Sequence, residues 1–299
     1  METTICFLND KIIALSGKAT NKNVFVNAYK IFELSEGSII NGVITDAYSI
    51  KDVLKSIKSD KRLFFKGKIH VIIDSSLIYI KPASFPLSST SKMNVFVEGE
   101  FVGIDKSNAE YLFDYSIIKW GAKKAPTITC YAVERSLLKA FIELFEEEKI
   151  QISSINISTN CISKITSKLT GLDNKTYVIA NIDKNNISLL LYVNNSFYYS
   201  TRARLLNDYA TEGFYQEIAS NISSINQFNK SQRNGFDIQN VYLCGMSDVE
   251  NMSCTGFIND LGIENSSTIL FNSFINYSNK IKSFNVTDLL INIGCLIRK

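Results

Sequence analysis

The apolar positions of this chain recur with two periods, and the switches between them predict an α/β protein. Alternation comes first. Thr4-Ile-Cys-Phe-Leu8 and Lys11-Ile-Ile-Ala-Leu15 flank Asn9-Asp10, a pattern of two strands joined by a tight turn. A further strand is expected from Val24 to Phe32, leading to Gly42-Val-Ile44. The period then lengthens: Ile50, Val53, Leu54 and Ile57 share one helical face, and Asp46 stands where an N-cap belongs. Strands return at Ile69–Ile73 and Leu77–Ile80.

From Pro82 to Lys149 the pattern suggests a separate small unit, with strands at Tyr111–Ile118 and Thr127–Val133. Its Val95–Ile104 segment carries β-branched and aromatic residues that favour a strand. A helix from Glu134 to Lys149 aligns Leu137, Leu138, Phe141, Ile142 and Phe145 on one stripe. A strand at Ile152–Ile157 and a short helix at Cys161–Leu169 follow. Tyr177–Asp183 and Ile187–Leu191 then read as a hairpin continuing into Phe197–Arg202. Phe214, Ile218, Ile222, Ile225 and Phe228 trace another amphipathic helix. It leads to a strand, Val241–Cys244, a turn at Gly245 and a last helix around Ile293 and Gly294. The chain shows no tandem short repeat.

A chain of 299 residues, 45% hydrophobic, can bury the core of one large or two ordinary domains. Asn, Ile, Lys and Ser are abundant, but apolar residues are interleaved throughout, so the bias reads as codon composition rather than disorder. A net charge of +3 on scattered lysines argues against a nucleic-acid partner. The Met-Glu-Thr-Thr start has no leader pattern, and no run approaches the ~20 apolar residues a membrane span needs. A cytoplasmic protein without direct membrane insertion is expected. The 6 cysteines are far apart in sequence, which suits reduced, buried thiols. His70 is the only histidine, so zinc sites and imidazole-based nucleophilic catalysis are nearly excluded; in a strand pattern it reads as structural. The run Glu146-Glu147-Glu148 reads as a solvated face.

The order of hairpin, glycine turn and terminal helix resembles the second half of an actin-like ATPase fold. Shorter matches point to the PilM family of type IV pilus assembly proteins. They are Gly42-Val-Ile44 with Asp46, Phe85-Pro86, Glu98-Gly99-Glu100, Leu112-Phe-Asp114-Tyr115 and Gly294-Cys-Leu-Ile-Arg298. The resemblance implies an α/β, two-domain actin-like fold with an inserted small α+β subdomain, and a helix within Val95–Ile104. The implied boundaries are 1–81 for the start of the first domain, 82–150 for the insert and 151–177 for the domain's continuation. The second domain takes 178–284, and 285–299 is a helix returning to the first.

In that family two hairpins and a glycine turn surround a nucleotide. The matching positions here are Asn181, Asp183 and Ser188 on a hairpin, and Gly245, Met246 and Ser247 at the turn. The first hairpin, Cys6 to Asp10, lacks the family's glycine. Asn181 replaces an aspartate and Asp183 replaces a glycine, while Met246 would project into the space of a ribose. Arg202-Ala-Arg204-Leu-Leu leads almost directly to Glu212, so the lid subdomain is expected to be reduced. These departures imply a remnant cleft with no catalytic residues and no metal site, and ATP with Mg²⁺ bound weakly or not at all.

The resemblance implies a scaffold that holds the cytoplasmic N-terminal peptide of a PilN-like inner-membrane protein, at the inner face of the cytoplasmic membrane. Phe85, Phe96, Phe101, Tyr111 and Phe113 are the candidate groove residues. Pilus motor and platform proteins and further copies of the chain are other expected partners. Two alternatives stand: a working ATP-binding switch or ATPase, and the cytoplasmic domain of a type II secretion platform protein. The end at Lys299, without a membrane helix or amphipathic tail, favours the separate pilus protein.

Overall fold

The computed structural model describes residues 1–85, 92–104, 107, 109–119, 126–169, 171–233, 235–265, 273–282 and 285–297. The Pro86 and Arg298 ends of two of the family matches lie outside these residues. The chain forms two compact units, Met1–Lys168 with Phe271–Lys299, and Leu169–Leu270. The boundaries implied by the resemblance run from 178 to 284 for the second domain.

The first unit begins with an antiparallel meander of β1 (Glu2–Phe7), β2 (Lys11–Ala19) and β3 (Val24–Glu33). Short strands β4 (Ile39–Ile40) and β5 (Val43–Ile44) pair around Asn41 and Gly42. Helix α1 (Ala47–Ser59) starts where expected: the Asp46 carboxylate accepts from the N–H groups of Tyr48 and Ser49 at 3.1 and 3.2 Å. The helix buries Ile50, Leu54 and Ile57. Strand β6 (Ile69–Ile73) then pairs parallel with β1. His70 is structural here, with Nδ1 2.8 Å from the Ser154 hydroxyl and Nε2 3.4 Å from the Glu2 carboxylate.

Strand β7 is Tyr79–Ser84, later than the expected Leu77–Ile80, and it includes Pro82. The proline is tolerated because β7 is an edge strand of a three-stranded sheet. Helix α2 (Met93–Gly99) takes the ambiguous segment and buries Met93 and Val97. Strands β8 (Tyr111–Lys119) and β9 (Thr127–Glu134) complete the antiparallel order β7-β9-β8. Helix α3 (Arg135–Glu147) buries Leu137, Phe141, Leu144 and Phe145. Leu144 displaces Ile142 from the expected stripe because 137, 141, 144 and 145 lie on one face; Ile142 falls on the neighbouring row and is 39% exposed. The buried face joins the core of Phe7, Ile50 and Val71, with Phe7 packed edge-on against Phe141 at 5.0 Å. So α3 packs on the six-stranded sheet, although its place in the sequence groups it with the insert. Strand β10 (Ile152–Ile157) pairs parallel with β6, and α4 (Ser158–Thr166) buries Cys161, Ile162 and Ile165.

The second unit repeats the plan. Strands β11 (Tyr177–Asp183), β12 (Asn186–Val193) and β13 (Ser196–Arg204) form a meander. Helix α5 (Glu212–Ser231) is capped by Thr211, whose hydroxyl accepts from the Phe214 N–H at 3.3 Å. Strand β14 (Asn240–Cys244) pairs parallel with β11, and α6 (Asp248–Asn259) leads to β15 (Glu264–Asn265). One sheet face, with Val178, Ala180, Ile182, Leu189 and Leu243, packs with Phe214, Ile218 and Ile222.

The chain returns to the first unit as β16 (Ile275–Tyr277), parallel with β3, a 3-10 turn (Val286–Leu289) and helix α7 (Leu290–Leu296). Every α7 residue is buried. Asn292 fixes its register, the carboxamide nitrogen donating to the carbonyls of Thr4 and Ile13 at 3.3 and 2.9 Å. The sheets run β10-β6-β1-β2-β3-β16 and β13-β12-β11-β14-β15. Each therefore holds a three-strand meander whose first strand is followed by two parallel neighbours. Among the described residues no helix is long and apolar enough to cross a membrane.

Candidate functional site

The first hairpin tip is committed to the fold of its own unit. Leu8 is buried, and its N–H donates to the Lys11 carbonyl at 3.0 Å. The Asn9 carboxamide oxygen accepts from the Asn41 N–H at 3.0 Å, tying the tip to the β4–β5 turn. The Asp10 carbonyl accepts from the Leu34 N–H at 2.7 Å, and both Asp10 carboxylate oxygens are shielded from solvent. Bulky buried groups occupy the turn where a phosphate loop needs bare backbone.

On the second hairpin, strand alternation puts the polar candidates on the face opposite the α5 core. Asn181 pairs with Ser188, which pairs with Arg202; one pleat further, Asp183 pairs with Asn186, which pairs with Arg204. Two arginines thus stand two strands, about 10 Å, from the single hairpin carboxylate. In the sequence Arg202 stands out only as the hairpin's end. The register of the hairpin around Lys184-Asn185 would have exposed both arginines as part of this face. An acidic pair that could orient a hydrated divalent cation is not what the register assembles.

The glycine turn differs from expectation in a specific way. Gly245 has φ +80, and a Cβ there would lie 2.0 Å from the Ile182 carbonyl oxygen. The glycine is therefore required by the approach of the β14–α6 turn to β11. Met246 does not project into open space: its side chain is buried in the apolar core of the second unit. Strand Asn240–Cys244 ends one residue earlier, and the left-handed Gly245 turns the next side chain inward. Ser247 caps α6 in a reciprocal box, its hydroxyl 2.7 Å from a Glu250 carboxylate oxygen that also accepts from the Ser247 N–H at 2.7 Å. Burial pulls the Glu250 carboxyl upward, but the Ser247 and Tyr209 hydrogen bonds outweigh it and hold the group below its ordinary value.

The short connection after β13 is closed by Glu217. Its carboxylate accepts from the N–H groups of Leu206 at 2.9 Å and Asn207 at 3.0 Å, and from the Asn207 side chain at 2.9 Å. Burial raises the Glu217 carboxyl, and these donors more than reverse that, leaving it lowered. All six thiols are buried. Cys244, beside Asn181 in the sheet, is pushed up to about 12 by burial and is no nucleophile at neutral pH. His, Cys, Asp and Glu residues form no metal-holding group of three among the described residues.

The five groove aromatics all belong to the small unit around β7, β8, β9 and α2. Phe85 and Phe101 are buried in its apolar core. Phe96 packs edge-on against Phe85 at 5.1 Å, and Phe113 stacks on Phe101 at 6.0 Å. Tyr111 is half-buried, 6.1 Å from the ring of Tyr79. Leu77 and Tyr79 are exposed, and so are Ile40 and Val43, which flank the β4–β5 turn. Asn41 ties that turn to the segment before β7: its carboxamide nitrogen donates to the Ser76 hydroxyl at 2.8 Å and its oxygen accepts from the Ser76 N–H at 2.8 Å.

The residues present are a poor match for Mg²⁺-ATP: neither hairpin turn has glycine, and Gly245, Met246 and Ser247 serve packing and capping. No protein-family model matches the chain, and no curated protein does. Solved structures do. The PilM–PilN type IV pilus biogenesis complex superposes with a TM-score of 0.77 over 99% of this chain and 97% of that one, at 10% identity. The cytoplasmic domain of EpsL, an inner-membrane component of the type II secretion system of Vibrio cholerae, gives 0.50 over 99% and 95%, at 9% identity. A Bacteroides thetaiotaomicron protein of actin-like ATPase fold and unknown function gives 0.49 over 98% and 95%, at 14% identity. The chain has the actin-like fold that its segment order implied.

Proposed function

We propose that this chain is a PilM-like scaffold of a type IV pilus machine, holding an extended cytoplasmic peptide of a PilN-like membrane protein and binding nucleotide weakly or not at all. The observation that carries the reading is the fold match over 99% of the chain to a protein solved in a pilus complex. Its companion is the glycine turn, whose residues have structural duties that need no ligand. The reading would make the protein peripheral at the membrane through its partner.

Within the first unit, exposed Leu77 and Tyr79, the latter against the Tyr111 ring, together with exposed Ile40 and Val43 at the turn that Asn41 ties to Ser76, suit an extended peptide with spaced apolar side chains. Fluorescence anisotropy of a labelled synthetic peptide, the N-terminal cytoplasmic segment of the PilN-like partner, tests this. Tyr79→Ala and Leu77→Ser should each weaken binding about tenfold, near 1.4 kcal/mol. No binding at millimolar protein, or binding indifferent to both changes, would contradict the reading.

One observation favours the ATP-switch alternative. Arg202, Arg204 and Ser188 share a sheet face and could hold an anionic group. For the secretion-platform alternative, the EpsL likeness at TM-score 0.50 is the weaker of the two fold matches.

A further inference from the structure

The six buried thiols are not equivalent. Cys130 has Glu100 and Lys81 as its charged neighbours, and Cys244 and Cys254 are raised by burial alone. Cys295 differs, because the largest influence on its thiol is the Cys161 thiol beside it. Backbone contact brings these two together. Gly294 of α7 meets Cys161 of α4: a Cβ on Gly294 would lie 2.6 Å from the Cys161 carbonyl carbon and 3.2 Å from its Cα. Helix pairs ordinarily keep their axes about 8–10 Å apart, with side chains between them; here the backbones touch. A disulfide needs Cα atoms within about 7 Å of each other, a separation that this crossing favours for Cys295, the residue after Gly294. Asn292 holds α7 in register through Thr4 and Ile13, so the pair is fixed in place.

The place of the pair in the chain gives a bond there a particular effect. The chain leaves the first unit after Lys168 and re-enters it at Phe271. A Cys161–Cys295 bond would close a covalent ring containing the whole second unit, Leu169–Leu270, and would fasten the closing helix to α4.

We propose that Cys161 and Cys295 are a redox pair, oxidised by peroxide to a disulfide that clasps α7 to α4. Cys295, 8% exposed against 0% for Cys161, reacts first. Its thiolate attacks one peroxide oxygen, the O–O bond breaks, and a sulfenic acid and hydroxide result. The Cys161 sulfur then attacks the sulfenic sulfur: the S–S bond forms, the S–O bond breaks, and the hydroxyl leaves as water. The pair gives up two electrons and two protons, and the peroxide becomes two waters. Peroxide is little larger than water and reaches a site closed to bulky thiol reagents. The Cys161 thiol and burial hold the Cys295 thiol above its ordinary value, with Lys164 opposing the rise and Glu2 adding to it. The step is therefore slow near neutrality and accelerates as pH rises.

The test exposes the intact chain to millimolar hydrogen peroxide at pH 8, removes the peroxide, and counts thiols in urea. Two of the six free thiols should disappear, and proteolytic mapping should recover a Cys161–Cys295 cross-link that dithiothreitol separates. In the oxidised chain, exchange of the 290–297 amides should slow about tenfold and the urea midpoint should rise. Cys161→Ser, checked for folding by circular dichroism, should form no cross-link and should leave Cys295 as a sulfenic acid that dimedone captures. Oxidation of the exposed Met252 with all six thiols intact overturns the proposal, and so does a bond between any other two cysteines. A Cys161–Cys295 bond that leaves exchange and midpoint unmoved overturns the clasp, and no captured sulfenic acid in Cys161→Ser overturns the order of attack.

Discussion

Alanine at Gly245 separates the two demands that the β14–α6 turn makes on that residue. At φ +80 the backbone is left-handed, which costs an L-residue roughly 1–2 kcal/mol, partly offset by a stiffer unfolded chain; the net is about 1 kcal/mol. The second demand is contact. The added methyl would sit 2.0 Å from the Ile182 carbonyl oxygen, a backbone atom of the central strand of the second sheet. That atom cannot rotate away, so the turn must shift, and overpacking of this kind costs about 1–3 kcal/mol. Gly245→Ala should therefore destabilise the second unit by about 2–4 kcal/mol. Gly262 is the control: its φ is +70, and a methyl added there would meet nothing within 4 Å, so Gly262→Ala should cost only about 1 kcal/mol. Gly294 isolates the other demand: a methyl there would meet the Cys161 carbonyl oxygen at 2.0 Å with no left-handed strain, pushing α7 from α4. Urea unfolding followed by circular dichroism, with exchange of the 240–247 amides as the local readout, measures all three. Equal costs for Gly245→Ala and Gly262→Ala would refute the packing explanation and reopen the turn as one kept for a ligand.

Other outcomes follow from the same contacts. Cys130, with its thiol raised to about 11, and Cys244 and Cys254, raised to about 12, are buried, so a native protein at pH 8 should resist a thiol reagent that labels all six cysteines in urea. Rapid native labelling of any of these three would contradict their burial. Glu217→Gln should cost about 1 kcal/mol and speed proteolysis within 205–211; unchanged cleavage would mean the carboxylate does not hold the loop. Because the Glu217 and Glu250 carboxyls are lowered in the folded state, their contribution is present above the ordinary value of 4.5 and lost as pH falls through the lower folded values. Acid unfolding curves of Glu217→Gln and wild type should accordingly converge below that window; curves that stay parallel would argue against the sign.

Elements with strong periodicity and clear punctuation were legible. The Asn9-Asp10 turn, the alternation of Tyr177–Asp183 and Ile187–Leu191, the Asp46 cap and the Phe214–Phe228 stripe led directly to β1–β2, β11–β12, α1 and α5. Helix α6 was not, because only Cys254 and Ile258 of its face are buried and Gly256 interrupts it. The Ser247-x-x-Glu250 box was the local signal that could have revealed it. β7 started late because Leu77 and Ile80 look like strand residues wherever the turn ends. Side-chain direction was the harder problem: the resemblance put Met246 in the space of a ribose and named Phe85 and Phe101 as groove candidates, and all three side chains are buried in apolar cores. Family position says which residue stands at a turn, whereas the φ of the residue before it decides where the side chain goes.

The proposed scaffold reading requires that the protein not respond to nucleotide, and titration calorimetry with Mg²⁺-ATP up to millimolar concentration tests that most directly. The expected result is no binding heat and no rise in Tm. A micromolar Kd would contradict it, since ATP at a thousand times Kd would add about 4 kcal/mol to stability. Loss of that binding in Asp183→Ala would identify the β11–β12 hairpin as a working site and the protein as an ATP-responsive switch.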